Sequence, residues 1–118
     1  MAQTWLEKYS TNEDEITGAI TGLTAYAGGG QANALQLTEK FNNVTISGTN
    51  LDSVKLPAAL VGKKVYVLNS DAAQTIAVYC ASGDYMNNTL NSYKALAVGQ
   101  GGFFECIYDG YWVSFVSA

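Results

Sequence analysis

From residue 34 onward the apolar residues fall into short runs rich in Val, Ile, Tyr, Phe and Thr, each closed by turn residues. These runs predict strands at 35–37, 43–47, 53–56, 63–69, 75–80, 95–98, 102–108 and 111–116. Turn chemistry separates them at Gly48-Thr-Asn50, Asn69-Ser-Asp71, Ser82-Gly-Asp84, Gly99-Gln-Gly-Gly102 and Asp109-Gly110. Asp109-Gly110, set between two aromatic runs, is the strongest hairpin signal. The spacing predicts an all-β fold, a small antiparallel β-sandwich or barrel.

Several of these runs are apolar on both faces. In the run ending at Asn69, Val65 and Val67 face one way, and Tyr66 and Leu68 the other. In the last run Tyr111, Val113 and Phe115 oppose Trp112 and Val116. A sheet with one wet face alternates apolar with polar residues. Here a second apolar face awaits a cover, and a further subunit is the expected one.

The first third of the chain reads differently. Residues 1–33 are expected to form an extended N-terminal arm and a Gly-rich connector, ahead of a β domain at 34–118. Within 1–15 sit Glu7, Glu13, Asp14 and Glu15, together with the isolated apolar trio Trp5, Leu6 and Tyr9. Such a segment buries too little to fold alone. It is either a frayed terminus or an arm that orders against a partner, anchored by Trp5. Ile16, Ile20 and Leu23 have helical spacing, but Gly18 and Gly22 argue against a helix. Gly28, Gly29 and Gly30 mark a hinge or tight passage.

Composition narrows the function classes. The chain of 118 residues fits one domain. Charged residues make up only 14%, well under the usual quarter, which suits surfaces that become covered. Net charge is −4, with six Lys, no Arg and no His. That balance argues against nucleic-acid binding. Without His, Ser-His-Asp and Cys-His catalysis and imidazole metal ligation are impossible. No apolar run is long enough to span a membrane as a helix. The first residues lack the pattern of a secretory signal, so folding in a cytoplasm is expected.

The candidate chemistry is thin. Cys80 and Cys106 lack Cys-x-x-Cys spacing and lie in apolar runs, where a thiol acts as a small hydrophobe. Asp52, Asp71, Asp84 and Asp109 each lie at a strand end or turn, where a carboxylate caps backbone donors. Neither Gly-rich stretch continues as a phosphate loop. No enzyme and no cofactor are expected. Phe103, Phe104, Tyr108, Tyr111, Trp112 and Phe115 cluster near the end of the chain, suiting a core or a trimer interface. A glycan-binding alternative would place Tyr85, Tyr93, Tyr108 and Trp112 on exposed loops.

Residues 24–118 carry, in order, Thr24-Ala-Tyr-Ala-Gly-Gly-Gly-Gln31, Asp52-Ser-Val-Lys-Leu-Pro57, Val65-Tyr-Val-Leu-Asn-Ser70 and Ala81-Ser-Gly-Asp84. Asn87-Asn88, Phe103-Phe-Glu-Cys106 and Gly110-Tyr-Trp112 follow. This series resembles a short β domain of tailed-bacteriophage virion structural proteins, found in capsid decoration (cement) proteins, head fibres and tail appendages. Cys80 departs from the pattern, where Pro or a small residue is expected. The resemblance implies a homotrimer on the outer surface of the capsid, with the major capsid protein as partner and the arm residues Trp5, Leu6 and Tyr9 in contact with it. Its alternative is a head-fibre or tail-appendage module that binds a host-surface glycan or receptor.

Overall fold

A computed structural model describes residues 18–117, and every described element is a strand. They are β1 (Ala19–Thr24), β2 (Leu35–Gln36), β3 (Phe41–Ile46), β4 (Asp52–Lys55), β5 (Lys64–Asn69) and β6 (Ile76–Tyr79). After them come β7 (Tyr85–Met86), β8 (Thr89–Leu90), β9 (Tyr93–Leu96), β10 (Gly101–Tyr108) and β11 (Tyr111–Val116). The all-β expectation holds.

The expected antiparallel arrangement does not. The strands form two mixed sheets, one ordered β1-β3-β5-β10-β11-β7-β8 and the other β2-β4-β6-β9. From β1 to β6 the chain alternates between the sheets, and each return lays a strand parallel to the previous one. In the larger sheet Ala19 pairs with Phe41, and Phe41 with Tyr66. In the smaller sheet Leu35 pairs with Val54, and Val54 with Val78. The architecture is thus a short solenoid-like stack of coils, closed by the antiparallel strands β9, β10 and β11. The turn signals at 48–50 and 69–71 were sound, but they mark corners between sheets. Hairpins and corners draw on the same Gly, Asn and Asp chemistry, so local sequence does not separate them.

Where the turn is a true hairpin, the local reading holds. Asp109 and Gly110 join β10 to β11, with Tyr108 paired to Tyr111 and Gly110 at φ +89°. The region 85–90, for which no strand is expected, folds as the small hairpin β7–β8 around Asn87 and Asn88. Both asparagines have positive φ, as a primed hairpin turn requires.

The segment read as a connector also belongs to the fold. Residues 19–24 form the edge strand β1, with a register shift between Ile20 and Leu23 where Gly22 adopts φ +79°. The glycines that argued against a helix serve a bulged strand instead. Gly29 does mark a tight passage, since a Cβ there would lie 2.6 Å from the Leu51 carbonyl oxygen. Nearby, the Gln31 side chain donates to the Cys80 carbonyl at 2.8 Å, tying the loop to β6.

The core lies between the two sheets. Val44, Val65, Val67, Phe104, Cys106 and Trp112 come from the larger sheet, and Val54, Ile76, Val78 and Leu96 from the smaller. Leu37, Leu56 and Met86 complete it. Each fully buried aliphatic or Phe side chain contributes about 1.5–3 kcal/mol of transfer free energy. The Trp112 indole N–H has no acceptor among the described residues, a cost of about 1–3 kcal/mol set against the burial of its ring.

Phe104 is fully buried, and the Cβ position of Gly102 lies 2.7 Å from its ring. Phe104→Ala is therefore expected to cost about 3–5 kcal/mol of folding stability, read as a lower midpoint in urea denaturation. Gly102→Val should also destabilise, because the added methyls have no space. A wild-type midpoint for either variant would contradict this packing.

Candidate functional site: an uncovered aromatic face

The larger sheet carries its core side chains inward, so the alternate residues stand on its outer face. The registers align Phe41, Tyr66, Phe103 and Phe115 as one row across β3, β5, β10 and β11. Phe41 and Tyr66 stack with ring centroids 4.8 Å apart and an interplanar angle of 12°. Tyr66 and Phe103 follow at 4.7 Å and 21°, and Phe103 and Phe115 at 6.0 Å and 24°. Each such pair adds about 0.5–1.5 kcal/mol beyond the area it buries.

Beside the row the face is hollow. Gly101 occupies the next outward position of β10, so no side chain rises there, and Leu68 lies opposite it on β5. The result is an apolar trough of about 730 Å³, running from Ala19 and Ile20 on β1 to Phe115 and Val116 on β11. Asn42, Asn43, Thr21 and Ser117 contribute its polar groups. Phe41 is 47% exposed, Leu68 42% and Phe115 57%. Each half-exposed ring leaves on the order of 100 Å² of apolar surface in water.

The stacking decides what this face presents. Within the row the faces of the inner rings, Tyr66 and Phe103, are turned to their neighbours, so these rings present edges, while Phe41 and Phe115 each have one stacked neighbour. A sugar platform presents flat ring faces to its ligand. The inner rings of this row present edges instead, beside an apolar trough.

The aromatic residues singled out in the sequence separate into three groups. Phe104 and Trp112 are fully buried in the core. Phe103 and Phe115 stand in the outer row. Tyr108 and Tyr111 join Tyr85 in a separate cluster, with Tyr85 stacked on Tyr111 at 4.4 Å and Tyr108 tilted against Tyr111 at 4.3 Å. The Tyr111 hydroxyl is pushed up by partial burial and by its two tyrosine neighbours. Of the glycan candidates, Trp112 is excluded because it is wholly inside, while the exposed Tyr93 ring meets Tyr79 at 4.9 Å with a 45° tilt. Phe41, Ile20 and the trough were missed. Phe41 falls just before the predicted strand at 43–47, and Ile20 lies in the supposed connector. Trp5, Leu6 and Tyr9 lie outside the described residues.

The four aspartates bind backbone, but only Asp52 and Asp71 cap donors of their own turns, while Asp84 and Asp109 hold N–H groups of the distant 59–61 loop. Asp52 is buried and accepts from the N–H groups of Gly28 at 3.1 Å, Gly48 at 2.8 Å and Thr49 at 3.0 Å, and from the Thr49 hydroxyl. Burial pushes its carboxyl up, but these hydrogen bonds together outweigh it and hold it below the ordinary range. Asp71 accepts from Ala73, Ser47 and Gln74, which lower its carboxyl too. Asp84 holds the Ala59 N–H and Asp109 the Val61 N–H, each at 2.9 Å. Among the described residues no three His, Cys, Asp or Glu side chains converge on a common point.

Both thiols are free and buried, and burial pushes each of them up. Cys80 sits against the carbonyls of Asp84 and Ser92, at 3.2 and 3.4 Å. No family model, curated protein or solved structure matches this chain.

Two outcomes follow from these contacts. Asp52→Asn is expected to destabilise by about 1.5–3 kcal/mol, measured by urea denaturation at neutral pH, because an amide loses the charged acceptor. Asp52 titrates lower in the folded chain than in the unfolded one. Its contribution is therefore complete above the unfolded value of about 3.9 and fades as pH falls through the folded one, so the variant and wild type converge in acid. Second, intact mass should be the same with and without reductant. The thiols of the native protein should resist iodoacetamide until denaturant is added. Rapid native alkylation would place at least one thiol at the surface.

Proposed function

We propose that this chain is a capsid decoration protein of a tailed bacteriophage, a homotrimer seated on the outside of the assembled head. The observation that carries the reading is the uncovered aromatic row with its trough. A low-charge all-β domain with a second apolar face gains by covering that face, and a trimer does so in the assembled state. The series of turn and strand motifs resembling virion β domains points the same way, as does the use of Asp52, Asp71, Asp84 and Asp109 to hold backbone N–H groups of the fold.

In this reading the protein works by mass action. A partner that binds only the assembled shell stabilises that shell by its binding free energy. Three copies held together add avidity, so no single contact with the major capsid protein has to be strong. The alternative, a head-fibre or tail module that grips a host glycan, draws less support, since the inner rings of the row offer edges where a sugar needs faces.

The purified chain is expected to sediment as a trimer at micromolar concentration and to add to heads that lack it, raising their resistance to heat or chelator. A monomer in sedimentation would remove the oligomeric reading. A stable trimer that leaves heads unprotected and retains a host glycan on an array would favour the fibre or appendage module.

A further inference from the structure

We propose that the trough beside the aromatic row receives residues 1–17 of a neighbouring copy, so that the trimer closes by arm exchange. The inference rests on the homotrimer proposed above and names the occupant of its uncovered face. It gives the arm a partner in the adjacent subunit, where sequence alone pointed to the shell.

The first argument is where the described chain begins. The Gly18 carbonyl accepts from the N–H groups of Lys40 and Phe41, each at 3.0 Å, so the chain enters the sheet beside the first ring of the row. β1 then runs from Ala19, level with Phe41, toward Thr24, level with Ile46. The trough is lined from Ala19 and Ile20, at the start of β1, through Thr21, Asn43 and Leu68 to Gly101 and Ser117, so its rim lies next to the point where the described chain begins. A neighbour's arm in the trough covers the apolar face and joins two subunits in one contact, as the proposed trimer needs, whereas an arm on its own trough would leave the subunits unjoined. From Gly18 back to Tyr9 there is about 30 Å of extended chain, enough to reach an adjacent subunit.

The second argument is complementarity. Residues 1–17 pair Trp5, Leu6 and Tyr9 with Glu7, Glu13, Asp14 and Glu15, against the single cation Lys8. The row is flanked by Lys40, whose Nζ lies 5.9 Å from the Phe41 centroid, and by Lys64, one outward position before Tyr66 on β5. Glu105 lies opposite Lys64 in the register, while Lys40 lies over the first ring of the row. The trough itself is apolar and suits the Trp and Leu side chains. A contact that joins two different patches closes into a ring when the rotation fits, as a trimer requires.

The test uses two full-length variants. In the first, Trp5, Leu6 and Tyr9 are all changed to Ser. In the second, Phe115→Glu puts a carboxylate on the row, with Leu68→Gln as a milder change in the trough. All these side chains are exposed or outside the described residues, and unchanged near-UV circular dichroism verifies the fold. Each variant alone is expected to sediment as a monomer, with association weakened about 30-fold or more. Mixed one to one, the arm variant and the Phe115→Glu variant should form a heterodimer, because one intact arm still meets one intact trough.

An arm variant that stays trimeric would overturn the proposal. If that trimer also failed to add to heads, the arm would be the shell contact. Monomeric variants that never complement one another would likewise overturn it, showing that each arm folds back on its own trough. Wild-type trimer that exchanges arms but leaves heads undecorated would retain this inference while refuting the capsid role.

Discussion

Everything in this protein hangs on the apolar layer between the two sheets. No coil of the stack buries its inward side chains alone. Val44 and Val65 need Val54 and Val78 across the gap, and each needs the coil beside it to exclude water. Because β1 to β6 alternate between the sheets, every coil adds residues to both sides of this layer at once. Closing strands must then fill what remains, and β9, β10 and β11 do so with Leu96, Phe104, Cys106 and Trp112.

That layer dictates the loops. A chain that changes sheet at each corner cannot satisfy the corner's backbone by ladder bonds. The aspartates take over that role: Asp52 gathers the donors of two loops, and Asp71, Asp84 and Asp109 each hold a corner. Their charge is thereby committed to architecture. The same is true of the thiols, which are packed among carbonyls with burial disfavouring the reactive thiolate.

The outer face is a by-product of the same stacking. Strands in a parallel stack repeat their register coil after coil, so like residues align in rows. Phe41 and Tyr66 align in this way, and the closing hairpin extends the row with Phe103 and Phe115. Gly101 interrupts the neighbouring row and opens the trough. A surface this apolar is a liability for a solitary domain, and covering it removes that liability.

The amino-acid sequence by itself determined the all-β character, most strands from residue 34 on, the apolar setting of the thiols, the capping by Asp52 and Asp71 of their own turns, and the hairpin at Asp109-Gly110. Each of these rests on contacts between near neighbours or on alternation along one strand, whereas Asp84 and Asp109 reach a loop far away in the chain. It also determined that Val65 and Val67 oppose Tyr66 and Leu68, which already announced a second apolar face. Only the tertiary structure decided that the strands stack in parallel, that residues 19–24 belong to the sheet, and that Phe103 stands outside while Phe104 fills the core. It alone set Phe41 beside Tyr66. The reason is physical: a corner and a hairpin use the same local chemistry, and their choice depends on which distant strand offers the better-packed partner. Register between residues far apart in the chain is settled by the shared core, and no local pattern encodes it.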